Sequence, residues 1–413
     1  MERGSSPDSR DERDDADEVA FDEFLGLAER GAAPPVAAFL DERGLGQDAE
    51  LRSRLETLHR AASAARPLED SGQVAGSVGP YRILDSIGSG GFGLVYLAEQ
   101  LSPVQREVAL KVLRPGMDSS EILDRFEAEK SALSRMDHPG IANVLDAGTT
   151  DSGRPFFAME YVPGEPITRF ADASRLTVED RLRLFALVCD AVQHAHQKGV
   201  LHRDLKPSNV LVRRVDGRPR PKVIDFGVAK ALDGDVLGRD PLDGASSPRT
   251  RAGALVGTLE YMAPEQASGA LTRGAVDSRA DIYSLGVLLY ELLSGRLPIE
   301  PRSSARASGT DVVRALLEGE PLPLDASVDD EIARSRRESA VSLKRTLSGE
   351  LDWIVQRALE KDPERRYASA SELALDLRRY LDDEPVLARP HGLFYRLKKL
   401  ASRHRGAALG AGV

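Results

Sequence analysis

Apolar residues are spaced as helices near the start of the chain, as short strands from Tyr81 to Val162, and as helices again from about Thr177 onward. Residues 1–16, MERGSSPDSRDERDDA, are polar and unpatterned and are expected to be disordered. Residues 17–65 contain EVAFDEFLGLAER, PPVAAFLDERG and DAELRSRLETLHRAASAA, which suit helices, with Leu51, Leu55 and Leu58 at helical spacing. Gly, Ser and Pro then gather in RPLEDSGQVAGSVGP, a linker over 66–80. At Tyr81 the texture changes: YRILDSIGSGGFGLVYLAEQ predicts strand, glycine turn, strand, and REVALKVLR a third strand. SSEILDRFEAEKSALSRM predicts a helix capped by Ser119 or Ser120, and IANVLDAGTT and RPFFAMEYV predict two further strands. A strand-rich region followed by a helical one predicts an α+β fold of two lobes. The first lobe, 81–162, is β-rich with one helix; the second, 163–382, is mainly helical; 383–413 forms a basic tail.

Composition narrows the class. With 413 residues the chain is long enough for one large two-lobed domain with appendages. Its net charge of −10 argues against a nucleic-acid partner. That charge is uneven: Glu2 to Glu23 holds ten acidic residues against three Arg, while Arg389 to Arg405 holds six Lys or Arg and no acid. The single cysteine, Cys189, excludes an intramolecular disulfide and fits a reducing cytoplasm. It lies at helical spacing with Leu182, Phe185 and Val192 and reads as a small buried hydrophobe. The acidic, polar N-terminus carries no secretory signal, and no run of eighteen apolar residues is present.

Three stretches carry chemistry. In IGSGGFGLVY, Gly88, Gly90 and Gly93 form G-x-G-x-x-G. A dinucleotide fold would show the same spacing, but there a helix follows the glycines, whereas here a β-prone segment does. Glycines in such a hairpin let backbone N–H groups approach phosphates, although a plain glycine turn would look the same. Lys111 stands alone in the apolar strand VALKVL, where an unpaired ammonium is costly, and the next helix offers Glu127 and Glu129. VLHRDLKPSNVLV, from Val200 to Val212, sets Asp204, Lys206 and Asn209 between two apolar runs. A carboxylate to accept a hydroxyl proton, a cation to neutralise a transferring phosphate and an amide to ligate a metal fit these three residues. KVIDFGVAK supplies a second metal carboxylate in Asp225.

These blocks, in this order, make the segment from Tyr81 to about Leu381 resemble a bacterial eukaryotic-like (Hanks-type) serine/threonine protein kinase of the membrane-linked kind. DLKPSN and GTLEYMAPE resemble the serine/threonine branch. The resemblance implies a bilobal kinase fold, ATP and Mg²⁺ (or Mn²⁺) as cofactors, and protein substrates with Ser or Thr. It implies that Ile87, Gly88, Ser89, Gly90, Gly91, Phe92 and Gly93 cover the ATP phosphates, and that Lys111 pairs with Glu129. Val95, Ala109 and Leu211 would enclose adenine, Met159 would be the gatekeeper, and Glu160 to Val162 the hinge. Asp204 and Lys206 would serve transfer, Asn209 and Asp225 the metal, and Thr258 the substrate-docking wall. Leu133, Val144, His202 and Phe226 would stack as a spine, Glu265 would pair with Arg366, and Asp281 would anchor the backbone before Asp204.

The stretch between Asp225 and Glu265 is long, and 298–348 is long and cation-rich. In the first, Thr250 and then Ser247 are the expected sites of self-phosphorylation, with Arg203 in a basic pocket that receives the phosphate, and with self-association to allow it. In the tail, Leu393, Phe394, Leu397 and Leu400 share a helical face flanked by cations, which suits contact with an anionic membrane at the inner face of the cell membrane. RGAALGAGV at the end reads as the first turns of a membrane helix. Two alternatives belong to other classes: a pseudokinase scaffold, which usually lacks an equivalent of Lys111, Asp204 or Asp225, and a small-molecule phosphotransferase, which generally lacks APE and GTLEY blocks.

Overall fold

The computed structural model describes Val36, Phe39, Leu40, Leu51, Arg52, Leu55, Leu133 and residues 76–89, 93–113, 135–226, 259–269, 277–299 and 309–388. The chain divides into two compact units, Met1–Gln73 and Val74–Val413. In the first, the six described residues are helical, and Val36, Phe39, Leu40, Leu51 and Leu55 are buried. The expected disordered start, the linker before Gly76, Leu58 and the basic tail from Arg389 lie outside the described residues.

The second unit opens with strands β1 (Ser77–Val78), β2 (Tyr81–Ser89), β3 (Gly93–Gln100), β4 (Arg106–Leu113), β5 (Val144–Thr149) and β6 (Pro155–Glu160). They form one antiparallel sheet in the order β1-β2-β3-β4-β6-β5. Period-two alternation decides what each face buries. Val108, Leu110 and Val112 of β4 and Phe156 and Ala158 of β6 join Tyr81 and Tyr96 in a small core on one side. Phe157 and Met159 point the other way, into the large core shared with the helices. β6 is buried on both faces, so its apolar run PFFAME shows no alternation in sequence.

The helical part begins with β7 (Glu165–Pro166), α1 (Ile167–Ala173) and α2 (Val178–Gln197). Thr177 caps α2 by accepting from the Asp180 N–H at 3.2 Å; Glu179 and Asp180 sit in its first turn and His194 and His196 in its last, matching the helix dipole. β8 (Val210–Val215) and β9 (Arg218–Val223) add a three-stranded sheet with β7. Then come α3 (Pro264–Gly269), α4 (Ser278–Ser294), α5 (Gly309–Glu318), α6 (Asp330–Ser335), α7 (Ala340–Leu347), α8 (Glu350–Ala358) and α9 (Ala370–Leu381). Cys189 is fully buried in the core, as its spacing implies, and burial pushes its thiol far up.

Helix α4 is buried on nearly every side and is the axle of this part. Its C-terminal carbonyls, Leu292 and Leu293, are satisfied by two buried guanidiniums, Arg181 and Arg336, which also share the Asp172 carboxylate at 2.7 and 3.3 Å. Burial and the neighbouring Arg181 charge bring Arg336 down to about 10, so it stays charged at neutral pH. The cation-rich stretch 298–348 is therefore partly helical, and Arg336 fastens it to the axle. Past α9 the chain stays packed: the buried Asp376 carboxylate accepts from Leu387 N at 2.7 Å and Ala388 N at 2.9 Å.

Gly286 lets α4 and α8 touch. A Cβ there would stand 2.9 Å from the Ala358 Cβ and 3.2 Å from its backbone carbon. Gly286→Val should destabilise the protein by about 1–3 kcal/mol, read as a lower denaturation midpoint in urea, because neither helix can give way without moving the core.

Candidate active site

The site grows from a loop that one carboxylate holds. After α2 the chain turns at Gly199, φ +76°, and runs to His202. Asp281, in the first turn of α4, is 1% exposed and accepts the backbone N–H groups of His202 and Arg203, both at 2.7 Å, and pairs with His196 Nε2 at 2.8 Å. Burial acts to raise this carboxyl; the bond and charge of His196 and the backbone N–H of His202 overcome it and hold the group below the ordinary carboxylate range. The two N–H bonds help fix Arg203 at φ +61°, a conformation a non-glycine residue keeps only when its surroundings over-determine it.

His202 lies under Phe226, ring centroids 4.7 Å apart. Leu133 and Phe226 belong to the large buried core, against which Val144 packs; of the expected spine, the contact seen directly is that of His202 with Phe226. The His202 ring is held in one tautomer: Nε2 donates to Ile224 O at 3.0 Å, and Nδ1 accepts from Asp204 N at 3.3 Å. Next along the chain, Asp204 Oδ2 accepts from Lys206 Nζ at 2.9 Å and from Asn209 Nδ2 at 3.1 Å. Asn209 Nδ2 also donates to Asp204 O at 2.7 Å, which turns the amide oxygen away from Asp204.

β8 and β9 bring the second carboxylate. Ile224 N donates to Asn209 O at 2.9 Å, so Asp225 follows directly from a strand tied to Asn209. Asp225 sits at φ +61°, and its Oδ1 accepts from Lys111 Nζ at 2.6 Å. The sequence pointed Lys111 toward Glu129; that residue lies outside the described ones, and the partner seen is Asp225, 114 residues away.

Sheet register assembles the other wall. Val95 pairs Lys111, Ala109 pairs Met159, and Lys111 pairs Phe157, so Val95, Ala109, Lys111 and Met159 share one face. Gly88 pairs Val95 on β2, while Ile87 is 44% exposed and Ser89 ends the strand. Leu211 is half-buried on β8, and Val162 is buried after β6. Gly93 is demanded by packing: a Cβ would lie 2.3 Å from Val112 O. Gly90, Gly91, Phe92, Ser247, Thr250 and Thr258 lie outside the described residues.

The donor set suits a hard cation beside a phosphate. Asp225 Oδ2 and Asn209 Oδ1 take no partner among the described residues, and both are oxygens. Among the described residues there is no cluster of three His, Cys, Asp or Glu able to hold a metal alone, so ligand oxygens would complete the shell. Lys111 sets a cation next to Asp225, which suits an anionic ligand group.

Several contacts had weaker signals. Glu265 and Arg366 pair through two bonds of 2.6 and 2.8 Å, as expected from their motifs. Tyr261 donates to Glu291 at 2.6 Å, and burial raises both groups. The lone carboxylate in LLYELLS is the signal that could have found that bond. The Glu160 side chain pairs with Lys222, which nothing in the hinge motif announces.

A β-sheet lobe and a helical lobe with this polar site between them make the two-lobed architecture of the kinase fold. The model of the protein kinase domain matches residues 81–376, and the chain belongs to that family. It is 37% identical over 332 residues to the serine/threonine-protein kinase Pkn1 of Myxococcus xanthus, covering 78% of this chain and 42% of that protein. It is 34% identical over 311 residues to the serine/threonine-protein kinase PknB of Mycobacterium tuberculosis, covering 74% of this chain and 43% of PknB. The chain thus spans about half or less of the length of these curated relatives. Among solved structures it resembles a double mutant of the PknI kinase domain of Mycobacterium tuberculosis, with TM-score 0.52 and 28% identity over 75% of this chain and 99% of that one.

The neutral His202 gives the site an acid limit. Burial lowers its pKa, outweighing the nearby carboxylates and the Ile224 carbonyl. Its folded value therefore lies below the unfolded one of about 6.5, so its contribution is complete above that pH and is lost as pH falls. Unfolding free energy should drop below about pH 6.5 by up to about 1.4 kcal/mol per pH unit from this group. Urea unfolding at pH 7 and pH 5.5 should show a shallower pH slope in His202→Phe, although that variant is less stable at pH 7.

Proposed function

We propose that this protein transfers the γ-phosphoryl group of ATP to Ser or Thr hydroxyls of protein substrates. The observation that carries this reading is the pair Lys111–Asp225 and the trio Asp204–Lys206–Asn209, joined by the backbone bond from Ile224 N to Asn209 O. ATP, when bound, supplies the phosphoryl group, and Mg²⁺ (or Mn²⁺) neutralises its charge. Asp204 orients the incoming hydroxyl and takes its proton, while Lys206 and Asn209 hold that carboxylate in one rotamer. Asp225 and Asn209 would hold the cation, and Lys111, paired with Asp225, would hold the phosphates. Val95, Ala109, Met159, Leu211 and the hinge from Glu160 to Val162 enclose adenine, and the glycine loop from Ile87 to Gly93 covers the phosphates. All three groups whose loss would mark a pseudokinase are present.

The sequence supports two regulatory readings. Thr250, with Ser247 second, receives a self-transferred phosphate, and Thr258 lines the peptide-docking wall. Asp204→Asn should lower kcat by on the order of a hundredfold or more while nucleotide still binds. Intact-mass and peptide mapping of wild type and that variant, made in the same host, should find phosphate between Ser246 and Thr258 in the wild type alone. Near-normal turnover in the variant removes Asp204 from its role, and an unmodified wild-type segment removes self-phosphorylation.

The second reading concerns location. Among the described residues no helix is long and apolar enough to cross a membrane. The six cations of Arg389–Arg405, beside Leu393, Phe394, Leu397 and Leu400, favour an anionic surface at about 1 kcal/mol per cation near it. This supports a cytoplasmic kinase working at the inner face of the membrane. The protein should co-sediment with anionic vesicles and not with neutral ones, and the difference should vanish at high salt. Equal recovery with both vesicles rules the electrostatic contact out.

A further inference from the structure

Strands β8 and β9 form a hairpin crowded with arginine. Asp216 and Gly217, at φ +50° and +76°, make its two-residue turn, and the register sets Leu211 opposite Lys222, Arg213 opposite Arg220 and Val215 opposite Arg218. These six residues share one face of the hairpin, and Arg214 lies on the other. Arg214 is engaged: its guanidinium stands over the Phe170 ring at 5.3 Å and donates to Ser174 Oγ at 3.3 Å. Lys222 pairs with Glu160 at the inner end of the first face. Arg213, Arg218 and Arg220 take no hydrogen bond and no ion pair among the described residues. Arg218 and Arg220 are exposed, and Arg213 is half-buried. Asp216, the only carboxylate from Val210 to Val223, stays in the turn and pairs with none of them. Two like charges directly opposite on an antiparallel pair repel each other, and among the described residues nothing offsets that repulsion.

We infer that this face docks an acidic, extended segment of a protein substrate, at a distance from the residue that receives phosphate. The class of partner rests on the transfer to protein substrates proposed above. The tip of the hairpin lies about 17 Å along β8 from Val210, the residue after Asn209, so the face is separate from the transfer site. Backbone pairing is closed to the incoming segment. β9 is the edge of its sheet, and Val223 N, which points off that edge, already donates to Gly140 O at 2.8 Å. Pro219 and Pro221 hold the other positions of the same parity and have no N–H to offer. The segment is therefore read by side chains. Rows two residues apart on the hairpin are about 7 Å apart, which is also the repeat of same-side residues in an extended chain. Carboxylates at alternate positions of such a chain meet the row of Arg213 and Arg220 and then Arg218. Each guanidinium is a planar fork that takes a carboxylate by two parallel bonds. Val215, 37% exposed opposite Arg218, gives an apolar residue of the segment a place to rest. A planar anionic bilayer fits this face less well, because Glu160 of β6 closes its inner end. With a net charge of −10 the chain as a whole repels acidic partners, so one cationic face confines them to one place.

The test titrates the full chain into a short fluorescent peptide with glutamate at alternate positions and follows anisotropy. Wild type should bind it, and more weakly as salt rises. Arg213→Gln combined with Arg220→Gln should weaken binding about threefold to twentyfold, and Arg218→Gln alone about twofold to fivefold. The combined variant should keep the urea midpoint of wild type or exceed it, because the opposed charges are gone. Joined by a flexible linker to a Ser-containing substrate peptide, the acidic segment should lower KM about fivefold in wild type with kcat unchanged, and should have no effect in the combined variant. Three results overturn the inference: equal affinity of wild type and the combined variant for the peptide, equal binding of a peptide whose glutamates are consecutive, or a loss confined to anionic vesicles while the peptide still binds. If the combined variant does not fold, Arg218→Gln decides by the same titration. If wild type transfers no phosphate to any peptide, the proposed function fails, and anisotropy alone still decides whether the face takes an acidic segment.

Discussion

The site depends on one buried carboxylate making two consecutive backbone hydrogen bonds. Asp281 takes the N–H groups of His202 and Arg203, and those bonds set the direction in which the chain enters Asp204. A buried Asp is costly unless it is bonded, and here His196 and two amides supply three partners. Because Asp281 sits on α4, the position of Asp204 is referred to a helix buried on nearly every side. Loops that carry chemistry work when a scaffold of this kind holds them.

The same logic explains the two left-handed non-glycine residues that fall in the site. Arg203, just before Asp204, and Asp225, itself the second carboxylate of the site, are both at φ +61°. Neither is a glycine, so each conformation has a cost that neighbouring bonds must offset. For Arg203 the Asp281 bond contributes; for Asp225 the Lys111 pair and the packing of Phe226 on His202 contribute. The two halves of the site are thus braced against each other through the His202 ring, which packs at a tilt against Phe226 and accepts from Asp204 N with Nδ1.

Much of this was legible in the sequence, and the reason is physical. A Lys in VALKVL or an Asp, Lys and Asn within VLHRDLKPSNVLV contradicts its apolar context, and such contradictions collect where chemistry happens. The strand pattern around Gly88 and Lys111 was legible because half-buried strands alternate. What stayed hidden were pairings across long sequence distances between groups that also look ordinary on a surface. Arg336 reads as one more cation in RSRRES, yet it closes the end of α4. Lys222 in RPKVID gives no sign that Glu160, 62 residues earlier, is its partner. Lys111 could be matched with a nearby helix by motif, but only the folded chain reveals its bond to Asp225.

Gly93 bears on how such motifs should be weighed. Its missing side chain makes room for the Val112 carbonyl of the next strand, at a distance no Cβ could tolerate. The demand comes from the sheet and would persist in a chain that had lost every catalytic group. Gly93 is therefore evidence about the hairpin, and a degenerate relative with no activity would be under the same pressure to keep it. The diagnostic value of the three-glycine spacing is correspondingly uneven: its last member reports architecture, and inference about nucleotide binding must lean on the polar residues that architecture alone does not require.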